Sequence, residues 1–122
     1  MEIKKTTVII GRRASGKSRI AEAMACNFNT IRINLPIGSF SYSMCKKDTE
    51  VIIFDEVNNI NTLVNIIFST YDYVLVERPG KSIFYITPKI IIVCSEEITR
   101  DAIEKLGSSL NRRINIIETI WK

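Results

Sequence analysis

Histidine is absent from all 122 residues, which removes the commonest general base at neutral pH and the commonest metal ligand. Any catalysis by this chain must use carboxylates and a bound metal. Cysteine is scarce: Cys26, Cys45 and Cys94 form no C-x-x-C pair, and an odd number argues against a disulfide framework. A reduced, cytoplasmic setting is expected. No stretch of proline, glycine or serine marks a linker, and no repeat or low-complexity run divides the chain. A single domain over residues 1–122 is expected, near the commonest domain size. No apolar run approaches the roughly 20 residues that cross a bilayer, and no apolar signal core follows the opening Met-Glu-Ile-Lys-Lys. No membrane partner is expected.

Apolar residues make up 46% and charged residues 25% of the chain, the balance of a globular protein. The net charge of +4 and the isoelectric point near 9.1 suit a polyanionic partner or a phosphate-bearing ligand. One short segment sharpens that. Gly11-Arg12-Arg13-Ala14-Ser15-Gly16-Lys17-Ser18 is a complete G-x-x-x-x-G-K-[ST] loop, and it follows the apolar run from Thr6 to Ile10. In such a loop glycines allow successive backbone N–H groups to turn toward a β-phosphate, and the following helix presents its positive end. The whole stretch from Gly11 to Arg19 is expected to hold a nucleotide. Lys17 would reach the β- and γ-phosphates, and Ser18 would ligate Mg²⁺.

The order of elements is as informative as the motif. Strands are expected over residues 3–10, 30–35, 51–54, 73–77, 83–86, 90–94 and 114–120, with helices over 17–27, 58–69 and 99–106. Residues 36–47 read as loop. Asn58 or Asn59 suits the N-cap of the second helix, Gly107 a stop for the third, and Arg78-Pro79-Gly80-Lys81 a turn between two strands. Alternation of strand and helix implies a three-layer α/β sandwich with a largely parallel central sheet. A ligand in such a sheet lies at the carboxyl ends of the strands.

Val51-Ile-Ile-Phe-Asp55-Glu56 places two acids directly after a buried strand. Asp55 is positioned to hold Mg²⁺ through its water shell, and Glu56 to orient or deprotonate the water that attacks a γ-phosphate. Ser95 ends another apolar strand, expected between those that lead to the phosphate loop and to Asp55. It either faces the γ-phosphate or caps the helix that follows. Arg112 and Arg113, just before the last strand, read as a cation for a neighbouring subunit's γ-phosphate or as a solvated basic pair.

Four segments then match one family in order and spacing. GRRASGKS resembles motif A of the superfamily 3 helicase domain, found in Rep-type replication initiators of circular single-stranded DNA viruses, parvoviruses and plasmids. VIIFDE is similar to its motif B, VERPGKSIFYITP to its motif B′ and KIIIVCSE to its motif C. The resemblance spans nearly the whole chain. It implies an AAA+ P-loop NTPase that binds ATP and Mg²⁺, assembles into a hexameric ring and threads single-stranded or forked DNA past hairpins in the channel. It further implies DNA contacts at Arg78 and Lys81, an arginine finger at Arg113 with Arg112 as second choice, and a nuclear setting if the source is a eukaryotic virus. Glu96 stands where the family's motif C usually ends in asparagine, so Ser95 would take the polar role there. The family's nicking and helical oligomerisation segments have no counterpart here, which implies work with other replication-protein domains. A small-molecule or nucleoside kinase and a hydrolysis-impaired nucleotide-binding module are the alternatives.

Overall fold

The computed structural model describes residues 4–34 and 42–119. The expected strand ends at residues 3, 35 and 120, and the first part of the 36–47 loop, lie outside the described residues. The elements in chain order are β1 (Thr6–Ile10), α1 (Lys17–Ala25), β2 (Thr30–Ile33), β3 (Val51–Phe54), α2 (Ile60–Thr70), β4 (Val74–Val76), β5 (Phe84–Ile86), β6 (Ile90–Ser95), α3 (Arg100–Glu104), α4 (Ser108–Asn111) and β7 (Ile114–Glu118).

Five strands form one sheet in the order β2-β3-β6-β1-β7, and every pairing in it is parallel. A parallel sheet needs cover on both faces, which explains why β3 and β6 read as unbroken apolar runs. Alternation along each strand then sorts their side chains between two cores. Ile9, Val51, Ile53, Ile92 and Cys94 pack with Ala21 and Ala25 of α1. Val8, Ile52, Phe54, Ile91 and Val93 face the other way, against Leu63, Ile66 and Ile67 of α2, Ile103 of α3, and Val74, Val76 and Ile86. The result is the three-layer α/β sandwich expected from sequence. Ile52, Ile53 and Phe54 are at most 1% exposed. Truncating any one of them to alanine removes about 2–5 kcal/mol from the fold.

Strands β4 and β5 pair antiparallel as a separate two-stranded ribbon. Its turn is the one the sequence announces: Lys81 N–H donates to the Arg78 carbonyl at 3.1 Å, and Gly80 takes φ 67°. Pro79 before a positive-φ glycine is the signature of a type II turn. The N-caps are partly as expected. Asn59 caps α2, its side chain accepting from Asn61 N–H at 2.7 Å. The third helix is shorter than expected and begins at Arg100 with Thr99 as cap. Gly107 (φ 99°) does not stop it but precedes a further short helix, α4. Asn111 Nδ2 donates back to the carbonyls of Ile103, Glu104 and Gly107, which closes that corner.

Candidate active site

The carboxyl ends of β1, β3 and β6 open into a cleft of about 690 Å³, lined by residues 13–19 together with Asn34, Asp55, Glu56, Cys94, Ser95 and Glu96. This is within the usual range for a small-molecule site. The topology puts the cleft there because β6 lies between β3 and β1, so the loops after all three strands converge.

The loop after β1 is held from three sides. Gly11 N–H donates to the Ser95 carbonyl at 3.1 Å. Lys17 Nζ donates to the carbonyls of Gly11 (2.7 Å) and Arg12 (2.5 Å), which folds its ammonium group into the loop. From β7, Thr119 N–H donates to the Ile10 carbonyl at 2.8 Å and the Thr119 hydroxyl lies 2.6 Å from that of Ser15. Gly16 takes φ 94° and begins α1 with no side-chain cap. The first N–H groups of that helix are therefore available to an anion. Ala14, at φ 60°, adopts a left-handed backbone without being glycine, a conformation that costs on the order of 1 kcal/mol.

Thr119 also explains Gly11. A Cβ at position 11 would lie 1.6 Å from Thr119 Oγ1 and 2.5 Å from Ser15 Oγ. Gly11→Ala is expected to destabilise the chain by about 2–3 kcal/mol, read as a lower urea midpoint. Thr119→Ala in the same chain should restore part of that loss, whereas an unchanged midpoint for Gly11→Ala alone would contradict the contact.

The loop after β3 is fastened to β6. Val57 N–H donates to the Cys94 carbonyl at 2.9 Å, and Asn58 Oδ1 accepts from Glu96 N–H (3.0 Å) and Glu97 N–H (3.3 Å). Between these anchors and the strand stands Glu56, exposed and left-handed at φ 54°. Strain of this kind gathers at functional sites. Asn58 is thus no helix cap but a clasp between two loops.

Ser95 belongs to the same clasp. Its hydroxyl donates to Asn58 Oδ1 at 3.3 Å and accepts from Ile98 N–H at 3.0 Å, and the residue is fully buried. Strand alternation puts its side chain on the α2 face with Ile91 and Val93, away from α1. It is not the helix cap either, since Thr99 fills that position. The thiol of Cys94, on the α1 face, is pushed up to about 11 by burial and then by the Asp55 carboxylate. At pH 7 only about one such group in ten thousand is a thiolate, which leaves no cysteine nucleophile in the cleft.

Asp55 carries an ion pair that the sequence did not announce. Nη1 of Arg32, on β2, lies 3.0 Å from both Asp55 oxygens, and Nη2 lies 3.4 Å from Oε1 of Glu22 on α1. Among the described residues no three histidine, cysteine or acidic side chains gather as a metal cage. The Ser18 hydroxyl and the Asp55 carboxylate nevertheless fit Mg²⁺, a hard cation that keeps several waters and takes phosphate oxygens for the rest of its shell.

Two expected groups lie elsewhere. Arg112 and Arg113 border a second cavity of about 250 Å³ with Lys5, Thr6, Ile67, Tyr71 and Asp72, next to the starts of β1 and β7. The five residues of β1 separate this end of the sheet from the phosphate loop by about 16 Å. Arg113 stacks its guanidinium 4.0 Å above the Tyr71 ring, and Arg112 is exposed. At the β4–β5 turn, Arg78 points inward: it donates to the carbonyls of Ser43 (2.9 Å) and Cys45 (2.7 Å) and lies over the Phe84 ring. Lys81 is the exposed cation of that turn.

A five-stranded parallel sheet with a cleft at its carboxyl ends defines a three-layer α/β sandwich. Among solved structures, the chain is similar to the JCV helicase (TM-score 0.63, 17% identity) and to the C-terminal region of NrS-1 (TM-score 0.64, 19% identity). The likeness covers 94% and 93% of this chain but only 35% and 28% of those chains, so this chain spans about a third of their length. No family model matches the chain, and no curated protein does. No helix among the described residues is long and apolar enough to cross a membrane.

Proposed function

We propose that this chain is a single P-loop ATPase module, the nucleotide-hydrolysing core of a DNA motor resembling the superfamily 3 helicases of Rep-type initiators. One observation carries the reading: Lys17, Ser18, Asp55 and Glu56 line a single cleft at the carboxyl ends of parallel strands. Backbone N–H groups of residues 13–19 cradle the β-phosphate, and Lys17 turns from the loop carbonyls to the β- and γ-oxygens. Mg²⁺, held by Ser18 and Asp55, would neutralise the charge that develops between those phosphates. Glu56 accepts a proton from the attacking water or orients it, and no histidine is needed. The JCV helicase is so named, and DNA as this chain's own partner follows from that likeness and from the +4 charge.

Arg112 and Arg113 sit at the far end of the sheet from their own cleft. On this reading they serve a neighbouring copy, so activity requires assembly, with a hexameric ring as the expected form. Lys81 supplies a sequence-independent phosphate contact, while Arg78 holds the base of the turn. The test is ATP hydrolysis with Mg²⁺, with and without single-stranded DNA, over a range of protein concentrations. The expected rate rises with DNA and more than linearly with protein, and Lys81→Ala loses the DNA response while keeping basal turnover. Nucleotide binding without turnover would identify a hydrolysis-impaired module instead.

A further inference from the structure

Asp55 is the carboxylate assigned to the metal, yet it is already engaged by a protein cation. The register of β2 on β3 sets Arg32 beside Ile53, two residues before Asp55 and on the α1 face of the sheet. The guanidinium there lies between two carboxylates, with Nη1 3.0 Å from both Asp55 oxygens and Nη2 3.4 Å from Glu22. Glu22 is one helical turn beyond Ser18 on α1 and does not itself line the cleft, so it can hold the guanidinium without being a metal ligand.

We propose that Arg32 competes with the divalent cation for Asp55, and that Glu22 is the seat that keeps the guanidinium when the metal takes the carboxylate. The proposal rests on the nucleotide reading above. A guanidinium is weakly hydrated and pairs readily with a carboxylate, whereas Mg²⁺ sheds its water reluctantly. Arg32 therefore occupies Asp55 at low metal concentration and yields it at high concentration. Because it stays in contact with Glu22, it can leave Asp55 without first becoming an unpaired cation. The side chains of Arg32 and Asp55 keep 37% and 25% of their exposure, so solvent screens the pair and the competition amounts to a few-fold rather than orders of magnitude. The consequence is a raised Mg²⁺ requirement: the cleft takes up nucleotide with its metal at a few-fold higher free Mg²⁺ than it would without Arg32.

The experiment is a MgCl₂ titration of the binding of a fluorescent, non-hydrolysable ATP analogue, read by anisotropy. For Arg32→Ala and Arg32→Gln the half-saturating Mg²⁺ concentration should fall about threefold to fivefold, with binding in EDTA unchanged. In an Asp55→Asn background the same substitutions should produce no shift. An unchanged midpoint in both variants overturns the proposal, as does an equal shift in the Asp55→Asn background, which would trace the effect to net charge alone. Variants that bind the analogue normally but show no shift leave the nucleotide reading intact. Absence of analogue binding by the unsubstituted chain removes that reading and the competition with it.

Discussion

Lys17→Ala should lower nucleotide affinity by about 100-fold, the loss expected when one or two charge-assisted hydrogen bonds to a phosphate disappear. Its ammonium group is held within the loop by two carbonyls, at 2.7 and 2.5 Å. It therefore needs a short rotation, not a rearrangement of the chain, to reach an incoming phosphate. The contact to Arg12 is exposed and that to Gly11 only part-buried, so both carbonyls regain water when the side chain is shortened and the melting temperature should move little. Isothermal titration with ATP and Mg²⁺ measures the effect, and thermal unfolding serves as the control. Affinity within threefold of the original chain would remove the phosphate loop from the site.

Glu56→Gln should leave nucleotide binding intact and cut turnover by about 100-fold or more, the usual worth of a positioned general base. Glutamine keeps the shape of the side chain and loses the ability to accept a proton, so the comparison isolates chemistry from geometry. The backbone at this position is left-handed, at φ 54°, which adds a second comparison. Glu56→Gly relieves the strain while removing the carboxylate, and it should be at least as stable as the original chain but equally inactive. Single-turnover hydrolysis separates the outcomes. Turnover that survives in both variants would mean that Glu56 is a solvent-facing acid and that another group orients the water.

The elements that rest on local chemistry were legible in the sequence. The unbroken apolar runs of β3 and β6 mark strands buried on both faces, and the G-x-x-x-x-G-K-S spacing fixes the turn between β1 and α1. The strand ending in Ser95 was expected between those that lead to the phosphate loop and to Asp55, and β6 does pair between β1 and β3. What the sequence could not convey depends on distant register. Arg32 reads as one more charge on an edge strand until β2 is aligned with β3 and the guanidinium meets Asp55. Asn58 offered itself as a helix cap by composition, but Asn59 took that role and Asn58 turned to the end of β6. Ser95 left two roles open because the parity that buries its side chain on the α2 face is set by residues before it, not by its neighbours. The additional helix α4 was hidden because Gly107, a stop signal, can also lead into a new turn. The exposed Lys81 and inward Arg78 show the same limit: two cations of one turn have similar sequence surroundings and different partners.

The contact between Thr119 and Ser15 joins residues 104 positions apart. A search along the sequence sees the phosphate loop as eight consecutive residues, but in three dimensions it has a ninth member, delivered by the last strand of the sheet. Inheritance at the two places is therefore not independent. A lineage that replaces Thr119 with a smaller residue loosens the demand for glycine at position 11, and one that enlarges position 11 first must cross a poorly folded intermediate. The tail of β7 is thus a keystone for the most recognisable motif of the chain, although nothing in its own letters says so.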